Sequence, residues 1–576
     1  MVSVLATIPF LETSFNDDWS YTFTALRLAE TGKLTYNGWG ALIVGVQAAW
    51  AALIIRLFGF SFTAVRLSTL VFDAGSALLL YAFGRRAGLR PSLAVFGTLA
   101  VVLSPLFIPL AASFMTDVPG LFFLLACAYC ALRALDASRA GIVLVWTALA
   151  ALTGVLGGTV RQIVWAEPVL VLPCLAWTRR KEHRIAAAVI CFWCGSLVVI
   201  ALSLHWYQGQ PFAVPEGPLW RFPQASPPFS AVWDALFRMG VSFALVMLPA
   251  LAVYASARPV DLERLARAGA VLVIPWALWK ATSPWSPGYI PMLGNIITPH
   301  GILDGLDAIG DKPMTLTRPL RGLLAAMVVA AACPCLASFF HSFALWRKAA
   351  QEGKRSSLPR IRAHFALAFL PFSIAYFALL IRRIYEGPIF DRYLLPLLPA
   401  VVVALLLHFQ NSVRRPAPLP AWVVLVLWAL YGVASMHDYL AAARARLSAA
   451  AAVAAKGVPR TAITAGLEYD AWTQLQQTGY VNNERMVKPT PAQPKRNRPA
   501  SAGQPAFWFW QYTGSVNPRY FIVYSLQPGL QNGPFPVIRY TAWLPPFHRA
   551  VFTQILPQVE SNGPESAGRP VHEGPK

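Results

Sequence analysis

The sequence predicts an all-α polytopic membrane protein of about 12 or 13 transmembrane helices, followed by a small external α/β domain at its carboxy terminus. Three observations predict it. The 576 residues are 56% hydrophobic and only 13% charged, where soluble domains carry roughly 25% charged residues. Apolar runs approaching the ~20 residues that cross a bilayer recur along the first three quarters of the chain. The net charge of +22 falls mainly on alternate short links between those runs. A soluble fold of this composition would need a core far larger than single domains build.

The chain opens on Met1–Phe10, which is too short to cross alone. Whether the true start lies upstream or the amino terminus is already outside, the next segment is external. Trp19–Thr31 has helical spacing, with Tyr21, Ala25, Leu28 and Ala29 along one face and Gly32 as its stop. Ala41–Phe58 resumes as a helix interrupted by Gly45, lying along the interface. Together, residues 12–64 form the first external loop, a lid of surface helices. Val65–Phe83 is the next crossing. Further apolar runs are Leu93–Leu110, Val118–Leu132, Ile185–Leu204, Leu320–Leu345, Ala363–Ile381, Leu394–Phe409 and Ala421–Met436. This defines a membrane domain over residues 1–436.

The character changes after Met436. His437–Lys456 is Ala- and Arg-rich and helical, and Arg460–Gly466 holds a short strand. Phe507–Tyr512, Tyr520–Ser525, Val537–Leu544 and Ala550–Ile555 are rich in aromatic and β-branched residues and predict strands. Residues 437–560 thus form an external α/β domain, with a Pro-rich basic linker, 490–504, and a tail, 561–576, that composition predicts to be disordered.

The basic links set the orientation. One side collects Arg85, Arg86, Arg90, Arg133, Arg139, Arg179, Arg180, Lys181, Arg184, Arg258, Arg264 and Arg267. It also collects Arg347, Lys348, Lys354, Arg355, Arg360, Arg362, Arg414 and Arg415. By the positive-inside rule that side is cytoplasmic, so the basic excess reports topology and gives no ground for a nucleic-acid partner. The long links Asn16–Gly40, His205–Phe229, Ala281–Pro319 and Arg382–Arg392 face the periplasm or exterior of a bacterial-type inner membrane. All seven cysteines lie in apolar stretches, so the CxxC spacings Cys127/Cys130 and Cys191/Cys194 read as helix packing.

The alternation places three acids at one external face: the adjacent pair Asp17 and Asp18, and Asp117 at the start of a span. A carboxylate there can take a proton from an attacking hydroxyl, and a neighbouring acid can raise its pKa or share a cation with it. The structural alternative is helix capping, by Asp17 or Asp18 before Trp19–Thr31 and by Asp117 before Val118–Leu132. Arginines at the same face oppose the positive-inside bias: Arg161 after the run Gly154-Val155-Leu156-Gly157-Gly158, Arg382 and Arg383 closing a span, and Arg392 opening the next. Guanidinium groups suit a lipid phosphate through bidentate geometry and constant charge. Snorkelling, or pairing of Arg392 with Asp391 or Glu386, is the alternative. Trp206, Tyr207, Trp220, Trp285, Tyr289 and Tyr385 fit an interfacial aromatic belt or a sugar-stacking surface. His300 in Thr298-Pro299-His300-Gly301 can join an acid on a divalent metal. Asp73 and Glu167, inside spans, pair in the bundle or line a cavity.

Taken together, these residues resemble the GT-C superfamily of membrane glycosyltransferases, in particular its protein O-mannosyltransferase (family 39) and lipid A aminoarabinose transferase branch. The matching elements are Asn16-Asp17-Asp18-Trp19-Ser20-Tyr21, Ala29-Glu30-Thr31-Gly32, Leu57-Phe58-Gly59-Phe60-Ser61 and Ala64-Val65-Arg66-Leu67. They continue with Ser104-Pro105, Thr116-Asp117, Val160-Arg161 and Arg392-Tyr393-Leu394-Leu395-Pro396. Where family members often carry Lys-Pro-Pro or His-Pro-Pro in the first external loop, this chain has Tyr36-Asn37-Gly38-Trp39-Gly40.

The resemblance implies a GT-C-like fold whose site faces away from the cytoplasm. It implies transfer of a sugar from a polyprenyl-phosphate-linked donor to a lipid, glycan or protein acceptor, with inversion. By the same resemblance Asp17 or Asp18 is the base or the metal-linked acid, Asp117 a second acidic position, and Arg161, Arg382, Arg383 and Arg392 hold the carrier phosphate. A divalent metal, held by Asp17, Asp18 or His300, is compatible with that role. The rival readings are a polymerase or ligase of cell-surface polysaccharide and a lipid or solute transporter. Transport predicts charges deep in the bundle and broken helices in matched halves, whereas here the polar groups gather at one face.

Overall fold

A computed structural model describes residues 1–216, 227–256, 262–282, 291–303, 307–351, 360–489 and 505–557. The linker 490–504, the tail 561–576, the aromatics Trp220, Trp285 and Tyr289, and the basic residues Arg258, Lys354 and Arg355 lie outside the described residues.

Among the described residues nine helices are long and apolar enough to cross a membrane: Phe62–Arg86, Asp117–Asp136, Ala140–Val160, His183–Gln208, Phe229–Val246, Arg318–Leu345, Ala363–Glu386, Asp391–Ser412 and Leu419–Ala454. Shorter apolar helices, Gly45–Phe58, Pro91–Val102, Gln162–Thr178 and Arg267–Trp276, stand among them. The run Leu93–Leu110 is one of the places where the expected count and the observed one part. It divides into Pro91–Val102 and Phe107–Ala111. Pro105 has no N–H to continue the first helix, and the Ser104 hydroxyl accepts the Phe107 N–H (3.1 Å) to start the second.

Opposite ends of the bundle differ in chemistry. At one end, Asp136 accepts from Arg86 (2.6 Å) and from His364 (2.6 Å), and Gln410 bridges Arg90 N and Gly88 O. That gathers the basic links into one layer. At the other end lie the surface helices Asp18–Thr31, closed by Gly32 at φ +71°, and Gly45–Phe58. The second begins at Gly45 rather than at Ala41, because Val44 is already in the left-handed region (φ +56°). Leu57 and Phe58, at its carboxy-terminal end, are exposed.

Helix Leu419–Ala454 is continuous through Met436, and its 36 residues span about 54 Å at ~1.5 Å per residue. The excess over a ~30 Å hydrocarbon layer becomes the core of the carboxy-terminal region. Ala442, Ala445, Ala449, Ala450 and Val453 pack under a sheet through Ile463, Ile522, Tyr524 and Val551. The sheet comprises β1 (Ile463–Thr464), β2 (Tyr520–Val523), β3 (Gln531–Asn532), β4 (Ile538–Thr541) and β5 (His548–Ile555). β1 runs parallel to β2, and β5 pairs antiparallel with β2, β3 and β4. A helix, Leu467–Thr478, ends at the left-handed Gly479 and follows β1. Trp508–Tyr512, expected as a strand, is a 3₁₀ helix. Its aromatic side chains pack around one cluster instead of alternating across a sheet. A buried charge cluster fastens this region to the rest: Asp307 binds Lys312 (2.8 Å), Arg446 (3.5 Å) and the Tyr524 hydroxyl (2.9 Å), and Arg446 also reaches Glu468 (3.5 Å).

Candidate active site

Asp17 stands at the N-cap of helix Asp18–Thr31 but makes no capping bond. Its carboxylate faces away from the helix end. Oδ1 accepts the indole N–H of Trp39 (3.0 Å) and Oδ2 accepts Arg392 Nη2 (3.0 Å). One residue further on, about 100° around the helix, Asp18 turns inward. It is 1% exposed, and its two oxygens accept the backbone N–H groups of Phe15 (2.6 Å) and Phe114 (2.9 Å). Burial pushes its carboxyl up to about 7, against the lowering pull of Arg66 and these amides. Asp18 therefore stitches the aspartate loop to the turn before Asp117.

Asp117 begins helix Asp117–Asp136 and is 4% exposed overall. Oδ1 binds Arg161 Nη1 at 2.5 Å, and Oδ2 has no hydrogen-bond partner. Arg161 ends helix Ala140–Val160 in extended geometry, and its chain lies against Gly120. A Cβ at that glycine would sit 3.1 Å from Arg161 Cβ. The small residue lets the guanidinium come down beside the helix that carries Asp117.

Arg392 is held by its own turn. The buried Asp391 accepts the amides of Ile296 (3.0 Å), Ile297 (2.7 Å) and Arg392 itself (2.8 Å). That use of Asp391 on backbone leaves the Arg392 guanidinium for Asp17. Between the two cations lies Tyr393, with its ring centroid 5.7 Å from the Arg392 guanidinium and 5.9 Å from that of Arg161. Its backbone carbonyl accepts the Tyr376 hydroxyl (2.8 Å). The outcome is one row, Asp17–Arg392–Tyr393–Arg161–Asp117, of two carboxylates and two guanidinium groups. Its charges balance, and every arginine in it can exchange a carboxylate for an incoming phosphate oxygen.

The other sequence candidates fall elsewhere. Arg382 and Arg383 bind Glu386 (2.6 and 3.5 Å). His300, in the turn closed by Thr298 and Gly301, lines a separate small pocket with Lys312, Asp438, Tyr439, Tyr540 and Arg549. Asp17 and Asp117 are each paired with an arginine, and no group of three or more His, Cys, Asp or Glu side chains is placed to hold an ion among the described residues. Tyr207 is buried, donating to Gly40 O (3.0 Å), while Trp206 and Tyr385 are exposed. Glu167 is 1% exposed with neither carboxylate oxygen bonded. Two residues that hold the aspartate loop were given no role from the sequence. Trp39 lies inside the stretch Tyr36-Asn37-Gly38-Trp39-Gly40 that departs from the family pattern. Arg66 is buried, donating to the carbonyls of Pro9 (2.7 Å), Leu11 (3.0 Å) and Thr13 ahead of the aspartates.

Residues 46–207 match the family described as dolichyl-phosphate-mannose-protein mannosyltransferase. The matched segment contains Asp117 and Arg161 and begins after Asp17 and Trp39. The match bears out the resemblance to GT-C membrane glycosyltransferases of the protein O-mannosyltransferase kind over that segment, and the apolar helices make the chain a multi-pass membrane protein. No curated protein matches the chain. Among solved structures, ArnT from Cupriavidus metallidurans bound to undecaprenyl phosphate is similar at 14% identity and a TM-score of 0.36, covering 78% of this chain and 79% of that one. The apo oligosaccharyltransferase of Archaeoglobus fulgidus is similar at 13% identity and a TM-score of 0.34, covering 76% of this chain and 55% of that one. Likeness at this level adds nothing to the argument from the chain's own residues.

Proposed function

We propose that this protein transfers a sugar from a polyprenyl-phosphate-linked donor to an acceptor hydroxyl of a lipid, glycan or protein, inverting the anomeric centre. The observation that carries the reading is the row of paired charges, Asp17–Arg392 and Arg161–Asp117, joined over Tyr393. In this reading the donor phosphate takes the place of the carboxylates on Arg392 and Arg161. The acceptor oxygen attacks the anomeric carbon from the face opposite the phosphate. Its O–H bond breaks as the new C–O bond forms, and the proton passes to Asp17, freed from Arg392. The bond from the anomeric carbon to the phosphate oxygen breaks, and polyprenyl phosphate leaves with its charge held by the two arginines. Oxocarbenium character on the sugar is stabilised by the nearby carboxylates. Residues 1–436 form the catalytic membrane part and 437–560 an external domain. The short basic links support a site on the periplasmic or exterior face.

The test uses full-length protein in proteoliposomes, supplied with labelled polyprenyl-phosphate hexoses and pentoses and with membrane extract as the source of acceptor. Transfer by the parent and its loss in Asp17→Asn support the reading. A parent that neither binds polyprenyl phosphate nor releases sugar from any donor overturns it.

A further inference from the structure

We propose that Trp39 is a positioning residue for the base, and that the carboxy-terminal region acts on the reaction through it. The inference deepens the reading given above and rests on Asp17 being the base. Among the described residues, Trp39 is the one side chain other than Arg392 bonded to the Asp17 carboxylate, on the oxygen Arg392 leaves untouched. When a phosphate draws Arg392 away, Oδ2 becomes the free proton acceptor while the indole N–H still fixes Oδ1. Without that bond the carboxylate turns about its Cβ–Cγ axis and loses aim at the acceptor hydroxyl, and misplacement on this scale is costly in rate.

The indole itself is held from the carboxy-terminal side. Its ring lies 5.3 Å from Phe509, 5.1 Å from Tyr512 and 6.2 Å from Trp508, and 5.2 Å from Trp19 on the helix that follows Asp17. The contacts with Phe509 and Tyr512 are edge-to-face, a packing that fixes ring orientation beyond what burial alone does. The backbone beside it is clasped from the same direction. Val481 N donates to Asn37 O (2.8 Å) and Asn483 Nδ2 to Gly38 O (2.8 Å). Gly38 sits at φ +83°, where a Cβ would lie 2.8 Å from the Val481 carbonyl oxygen, so the segment 481–486 approaches as closely as a glycine permits. Asn37 exchanges hydrogen bonds with Ser20 (2.7 and 2.8 Å), tying the loop to helix Asp18–Thr31. The chain thus runs from Tyr512 and Phe509 through Trp39 to Asp17.

The experiment compares parent, Trp39→Phe, Tyr512→Ala and the double variant in the proteoliposome assay, with polyprenyl phosphate as the binding probe. Trp39→Phe keeps the ring and removes only the N–H. It is expected to lower kcat about tenfold, the loss of roughly one charge-assisted hydrogen bond. KM for the donor and the Kd for polyprenyl phosphate stay within about twofold. Tyr512→Ala is expected to lower kcat in the same direction, and its effect is expected to vanish in the Trp39→Phe background. An unchanged kcat in Trp39→Phe, or full additivity in the double variant, overturns the proposal. A structure of the Trp39→Phe protein with polyprenyl phosphate bound, compared with the parent in the same state, reads it without turnover: the Asp17 carboxylate is expected to turn from its position in the parent, and an unmoved carboxylate overturns the positioning role. Failure of the parent to bind polyprenyl phosphate counts against the reading of the site instead.

Discussion

Removing Arg161 tests how the row of charges is held together. In Arg161→Gln, Asp117 keeps a side chain only 1% exposed, with Oδ1 losing its partner at 2.5 Å and Oδ2 already without one. Breaking a buried pair from one side leaves an uncompensated charge and costs about 3–5 kcal/mol. Removing the charge as well, in Arg161→Gln with Asp117→Asn, relieves most of that penalty and leaves a cost of about 1–2 kcal/mol for imperfectly bonded neutral groups. Thermal inactivation and denaturant unfolding of detergent-solubilised protein should therefore rank the parent first, the double variant close behind and Arg161→Gln well below both. Polyprenyl phosphate binding should rank differently, because the double variant regains stability without regaining a cation. It is expected to bind at least tenfold more weakly than the parent. A double variant no more stable than Arg161→Gln would refute the pairing argument, and one that binds the lipid phosphate like the parent would refute the phosphate role.

Three further outcomes follow from the same geometry. Asp17→Asn should lower kcat by about 10²–10⁴-fold, the range of general-base contributions, while polyprenyl phosphate still binds in an equilibrium assay. Arg392→Lys keeps the charge but not the fork, so affinity for polyprenyl phosphate in the same assay should fall about tenfold. Asp18 should make stability depend on pH. Its folded pKa is raised from 3.8 to about 7, so the folded chain holds this proton more tightly than the unfolded one. Its contribution is intact below 3.8 and is lost as pH rises through about 7, a change of about 4 kcal/mol. Denaturant unfolding at pH 5 and pH 8 should show a steeper fall for the parent than for Asp18→Asn, and equal slopes would refute the assignment.

The sequence placed Asp17, Asp117, Arg161 and Arg392 at one face, and the structure puts them in one row. What allowed this was topology: each apolar run reverses the chain, so counting runs is enough to sort their ends. Sorting does not aim a side chain. Arg382 and Arg383 share that end, yet their neighbour Glu386 takes them. Asp17 and Asp18 are indistinguishable in sequence, and the helical rotation between them sends one to Arg392 and the other to backbone amides. Trp39 was passed over because nothing local distinguishes a loop tryptophan that bonds an aspartate from one that does not. The strand expected at Phe507–Tyr512 came from aromatic content, and the cluster around Trp39 drew that segment into a turn.

By itself, the sequence determined that this is a helical membrane protein with its acids and exceptional arginines at one face. Those properties depend on each segment's own hydrophobicity and charge against a bilayer. Only the tertiary structure decided that Asp17 meets Arg392, 375 positions away, that Asp18 is spent on backbone amides, and that Trp39 ties the carboxy-terminal region to Asp17. Contacts of that range are set by how whole helices pack, and a side chain's direction is fixed only once its neighbours are in place.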